Sequence, residues 1–204
     1  MWAASDDLWD REFIQILYAA ISTDKNYSSS FCPYVYINDR GDWISKPLSS
    51  DFSGNIITRI YKYCYHYDDT VMYGLFKTSV IRQLKIRPWW GINSKILADA
   101  GYPPPFFILS SGKFALISGR PLWFQRLHNS HQYLANYNFD NIMLKYLMLV
   151  HRKVNILFYS IKNIYAGSQS IWIVLLTMPA LIGRFLYDCI NPIAKKLRRT
   201  FLRQ

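Results

Sequence analysis

The stretch Trp2-Ala3-Ala4-Ser5-Asp6-Asp7-Leu8-Trp9-Asp10 decides how this chain is read. An apolar run leads into two adjacent carboxylates, and helical spacing follows at once. Adjacent carboxylates at the end of a buried strand are a common way to hold a hard divalent cation beside phosphates. The same pair also suits a helix N-terminus, where Asp caps orphan amides and complements the dipole. A strand that presents such a pair normally sits inside a sheet, and no earlier strand precedes it in these 204 residues. The pair is therefore either a cap or one part of a larger constellation.

Working outward, Phe13, Ile14, Leu17 and Ile21 recur with helical spacing and predict a helix over residues 8–21. Phe31 to Ile37 reads as a strand, followed by the turn Asn38-Asp39-Arg40-Gly41-Asp42 and a return at Trp43-Ile44. Ile56, Ile57, Ile60 and Cys64 form one stripe of a helix over residues 54–65. Residues 70–76 read as a short inner strand, in which Gly74 marks a bulge or a close approach of backbone or ligand. A short helix capped by Thr78 or Ser79 and another over 93–100 come next. Phe106 to Ser110, Lys113 to Ser118 and Pro121 to Leu127 are strand-like. From Asn141 to Ser160 the pattern is helical again.

Composition narrows the class. The length suffices to bury a core without staples. Cys32, Cys64 and Cys189 are scattered singly, which is neither a disulfide framework nor a zinc site and fits a reducing compartment. The chain carries 16 Tyr, 12 Phe and 7 Trp, as a Tyr-rich core or a wet aromatic cleft would. Of the net charge of +11, residues 130–204 hold +8, from ten Lys/Arg against two Asp.

Four pieces then line up in order: Trp2 to Trp9, Met72-Tyr73-Gly74-Leu75-Phe76-Lys77, Gly91-Ile92-Asn93-Ser94-Lys95-Ile96-Leu97-Ala98, and Gln125-Arg126-Leu127-His128. Together they resemble the acceptor-side half of a family 2 nucleotide-sugar glycosyltransferase, over about residues 1–135. The resemblance implies an α/β chain with a partial GT-A fold: a short mixed sheet with flanking helices, then a helical region over 136–204. It implies that Asp6 and Asp7 hold Mn²⁺ or Mg²⁺ in the complete enzyme, and that Arg126 and His128 contact the donor diphosphate. The position where the family usually carries its base is Asn93 here, which cannot accept a proton. Asp68 and Asp69 are the other candidates for the catalytic base. Because the chain starts at the carboxylate motif, the nucleotide-binding half is expected to be missing. The chain is then a fragment of a cell-envelope polysaccharide transferase, inactive alone, with a separately encoded N-terminal half as one partner. The alternative is a non-catalytic, membrane-associated remnant or partner subunit.

The C-terminal region points to a membrane. Twenty-one residues between Lys162 and Arg184 lack a formal charge, and Ile171 to Gly183 is strongly apolar. That run is short for a span of about 20 residues. Ile193, Leu197 and Phe201 then recur every fourth residue among Lys195, Lys196, Arg198, Arg199 and Arg203, the pattern of a basic amphipathic helix. The expected partner is an anionic membrane surface at the cytoplasmic face, met peripherally or through one marginal span. The apolar neighbour argues against a nucleic-acid arm.

Overall fold

The computed structural model describes residues 7–49, 52–66, 69–84, 103–126 and 142–201. Its class is α/β, with small mixed sheets and six helices among the described residues. The element order is β1 (Leu8–Trp9), α1 (Phe13–Ser22), β2 (Tyr27–Phe31), β3 (Tyr34–Ile37), α2 (Ile56–His66), a 3₁₀ turn (Asp69–Tyr73), β4 (Leu75–Phe76), α3 (Thr78–Ile81), α4 (Pro103–Ser110), β5 (Lys113–Leu116), β6 (Trp123–Arg126), α5 (Ile142–Ser168) and α6 (Ile171–Phe201).

The sheets are two ends of one parallel ribbon. β2 pairs with β5 and β3 with β6, both in parallel. Between them the Ile117 amide donates to Phe31 O at 2.9 Å and the Leu122 amide to Pro33 O at 3.1 Å. The strand expected over 31–37 is thus two strands. Pro33 has no N–H to give the ladder, and opposite it the 117–122 segment loops out through Gly119, whose φ is +118°. Antiparallel edges complete each end: β4 on β2 and β1 on β6.

α1 starts later than its periodicity suggests, because Leu8 and Trp9 enter the sheet. Asp10 then makes the turn: its carboxylate accepts the Glu12 amide at 2.8 Å and its carbonyl the Phe13 amide at 2.9 Å. Phe13, Leu17 and Ile21 are buried against the sheet, and Ser30 Oγ donates to Leu17 O at 2.9 Å. Ile14 instead faces solvent. The turn after β3 follows expectation: Asn38 Oδ1 accepts the amides of Arg40 and Asp42, both at 2.9 Å, and Gly41 takes φ +90°.

Two expected strands differ. Residues 69–73 form a 3₁₀ turn, leaving only Leu75–Phe76 as an edge strand. Phe106 to Ser110 belongs to helix α4, whose Phe106, Phe107, Ile108 and Leu109 are all buried. A helix covered on every side has no amphipathic period to betray it. Prolines 103 to 105 sit in its first turn, where missing amides cost no helical bond.

The helices form a layer in which α4 packs on α5, α5 on α6, α6 on α2 and α2 on α4. Ile60, Tyr63, Phe106, Ile164, Val174 and Leu181 share this core with the sheet's Phe31 and Phe76. Arg59 is buried among them. Its Nη2 donates to Gly112 O at 2.6 Å and its guanidinium lies 4.2 Å from the Phe114 ring centroid. Burial pulls its pKa down to about 10.

Cys32, Cys64 and Cys189 are free thiols. Burial pushes both Cys32 and Cys64 up to about 12. The folded state thus holds these protons where an unfolded chain has released them. The stability they contribute is complete below the unfolded value of 9.0 and drains as pH rises towards about 12. Arg59 acts oppositely above about pH 10, because its folded form releases its proton before an unfolded arginine does. Chemical denaturation at pH 8 and pH 10.5 should show a loss that shrinks in Cys64→Val. At pH 8 in native buffer, Cys64 should resist alkylation until denaturant is added.

Candidate active site

The site begins with β1. Pairing of Leu8 with Phe124 and Trp9 with Trp123 carries Asp7 to the far end of β6. There its Oδ2 accepts Trp123 Nε1–H at 2.8 Å, and its Oδ1 accepts the Arg126 amide at 3.0 Å, across 119 residues of sequence. These charge-assisted bonds hold the carboxylate in one orientation.

An aromatic wall backs this carboxylate. The Trp123 ring stacks on Tyr73 at 4.4 Å between centroids and on Trp9 at 5.6 Å, with Tyr34 tilted against it at 5.0 Å. Trp9 meets Phe13 edge-on at 4.7 Å. The second sequence piece therefore reaches the first through Tyr73, 6.5 Å from Trp9 between ring centroids, and meets β6 at Trp123. Gly74 permits this, because a Cβ there would run into Phe31 and the Ser30 carbonyl.

At the end of β6, Arg126 Nε and Gln125 Oε1 are buried without a hydrogen-bond partner among the described residues. Polar atoms buried in this way call for a partner. At the opposite end of β6, Arg120 pairs with Asp10 at 2.9 Å and also with Glu12. Sequence reading missed this Arg120 bridge; a lone arginine between Gly119 and Pro121 carries no periodic signal.

The structure brings the Asp7 carboxylate onto the backbone amide of Arg126. Asp69 opens the 3₁₀ turn that leads to Tyr73. Asp6, Asp68, Asn93 and His128 lie outside the described residues, as does the helix expected over 93–100. Among the described residues no group of three or more His, Cys, Asp or Glu is placed to hold a metal ion.

A concavity of about 450 Å³ opens where the ribbon is interrupted, lined by Phe31, Cys32, Pro33, Leu48, Ile117 and Gly119. It sits at the opposite end of β6 from Asp7. Its thiol, raised by burial to about 12, stays protonated and is a poor nucleophile at neutral pH.

No family model, curated protein or solved structure matches this chain.

Proposed function

We propose that the chain carries the metal- and acceptor-side portion of a glycosyltransferase of the family 2 type. The reaction moves a sugar from a nucleoside diphosphate to a hydroxyl of a saccharide or lipid-linked acceptor, at the cytoplasmic face of a membrane. One observation carries the reading. Asp7 and Arg126, from opposite ends of the α/β region, share one strand end, with Tyr73 packed behind them.

The residues present fit a hard cation and a diphosphate. Asp7 is a carboxylate fixed in orientation by the Trp123 indole and the Arg126 amide, with Asp6 adjacent in sequence, and Arg126 Nε is a buried donor without a partner among the described residues. Bound Mn²⁺ or Mg²⁺ would supply charge compensation for the departing diphosphate. In this reading Arg126 and His128 add positive charge where that group leaves. The acceptor hydroxyl passes its proton to Asp68, to Asp69 or, with an acid in its place, to the Asn93 position. Trp9, Tyr73 and Trp123 stiffen the strand end that holds Asp7.

The test is turnover. The purified chain, incubated with a panel of nucleotide sugars and Mn²⁺, should neither hydrolyse nor transfer. Addition of a nucleotide-binding half, encoded next to it or fused in front of it, should start transfer. Protein-dependent turnover by the chain alone would overturn the divided-enzyme reading. Silence in both arms would favour the non-catalytic partner subunit.

A further inference from the structure

Helix α6 contains a 21-residue stretch, Ile171–Asn191, long and apolar enough to cross a membrane, with a mean hydropathy of 1.7. Its packing argues for a different use. One face of α6 is committed to the protein: Val174, Thr177, Ala180 and Leu181 are buried in the helical layer. Polar bonds fasten that face. Tyr61 Oη donates to Leu176 O at 3.2 Å, and Arg184 Nη1 donates to Cys64 O at 3.2 Å. Asp188 accepts a hydrogen bond from Lys153 Nζ at 3.0 Å and forms an ion pair with Arg184 Nε at 3.0 Å. To span a bilayer, α6 would have to leave α2 and α5 and carry Arg184 and Asp188 into hydrocarbon, or drag the polar helix α2 with it. Both are unfavourable.

The opposite face is bare. Trp172, Leu175, Leu176, Leu186, Tyr187 and Ile190 are exposed, Trp172 at 71 %. At 100° per residue these six fall within one stripe of about 120°. No charged residue falls in it; Pro179 and Gly183 fill its middle. The same helix continues without a break to Phe201, and its last turns carry Lys195, Lys196, Arg198 and Arg199. An uncharged apolar stripe flanked by Trp and Tyr, ending in a basic segment, complements an anionic lipid surface in both polarity and charge.

We propose that α6 is a monotopic membrane anchor. It lies in the plane of an anionic leaflet, still docked on α2 and α5, with the Trp172–Ile190 stripe sunk among the headgroups. The proposal deepens the membrane part of the function proposed above and is independent of sugar transfer, so its test needs no activity.

The full chain should float with phosphatidylcholine vesicles containing phosphatidylglycerol, and only weakly with phosphatidylcholine alone. High salt should reduce binding without abolishing it, because the apolar stripe is unaffected by screening. Leu175→Glu with Leu186→Glu, both at exposed positions, should weaken partitioning by about tenfold or more while leaving the circular dichroism and melting unchanged. Orientation is read with Ser170→Cys and Asn191→Cys, one at a time, in a Cys32→Ser/Cys189→Ser background. An impermeant maleimide added outside the vesicles should label both positions. Protection of one end until detergent is added would establish a span and overturn the proposal. Absence of vesicle binding would overturn it too. If the lipid-free chain then self-associates and the double Glu variant does not, the stripe belongs to a second copy.

Discussion

Asp7→Asn is expected to remove about 2–3 kcal/mol of folding stability, whatever it does to metal affinity. Two N–H donors, from the Trp123 indole and the Arg126 backbone, face the two carboxylate oxygens. An asparagine has one oxygen and one NH₂, so one of those donors must meet another donor. The β1–β6 pairing spans only Leu8 and Trp9, and it has little to spare when its neighbouring anchor fails. Urea denaturation followed by tryptophan fluorescence should show the loss. A double-mutant cycle with Trp123→Phe should return a coupling of about 1 kcal/mol or more. In an enzyme completed with its nucleotide-binding half, turnover measured on the folded fraction should fall by a further ~10²-fold, the scale of one lost electrostatic partner. If stability falls and turnover per folded molecule does not, Asp7 only ties β1 to β6. If neither moves, the strand-end site is wrong altogether.

Local chemistry was readable where it acts locally. Leu17, Ile21, Ile60 and Cys64 are buried because helical spacing puts them on one face. The turn after Ile37 follows from Asn38 and Gly41, whose roles span four residues. Longer-range competition decided the rest. Within residues 31–37 only Pro33 hints that the ribbon breaks; the partner segment that bows out there, 117–122, is distant in sequence. Phe106 to Leu109 read as a strand because four consecutive apolar residues fit a buried strand or a buried helix equally well. The 3₁₀ turn over 69–73 replaced a strand whose β-branched and aromatic residues were a sound but insufficient signal.

The candidate site was legible only as pieces. Asp7, Tyr73 and Arg126 each carry a weak local signal, and the pairing of two-residue β1 with β6 is what joins Asp7 to the Arg126 amide. That Asp7 is held by the Trp123 indole could not have been read from spacing. At the C-terminus, the apolar run and the basic helix looked like separate stretches, divided near Pro192. They are one helix through Phe201, so the basic segment continues the helix that carries the stripe.

The same substitution, glycine to alanine, should have opposite signs at two positions, and the contrast tests the packing directly. At Gly74 a Cβ would stand 2.6 Å from Phe31 Cδ1 and 2.7 Å from the Ser30 carbonyl oxygen. The ring can move only by disturbing Phe52, Phe76 and Phe114, which surround it at centroid distances of 5.2, 5.9 and 5.1 Å. The carbonyl belongs to the Ser30–Leu75 pair, so its retreat opens the β2–β4 ladder. Overpacking of this kind costs about 3 kcal/mol. It should also pull Tyr73 away from Trp123 and loosen the wall behind Asp7. At Gly183, on α6, nothing lies within 4 Å of the added carbon. There alanine should stabilise by up to ~1 kcal/mol, through helix propensity alone. Denaturation midpoints of the two variants, at an unchanged slope, read both effects on one scale. A neutral Gly74→Ala would mean that β4 does not press on Phe31, and that Tyr73 reaches the Asp7 wall by some other route.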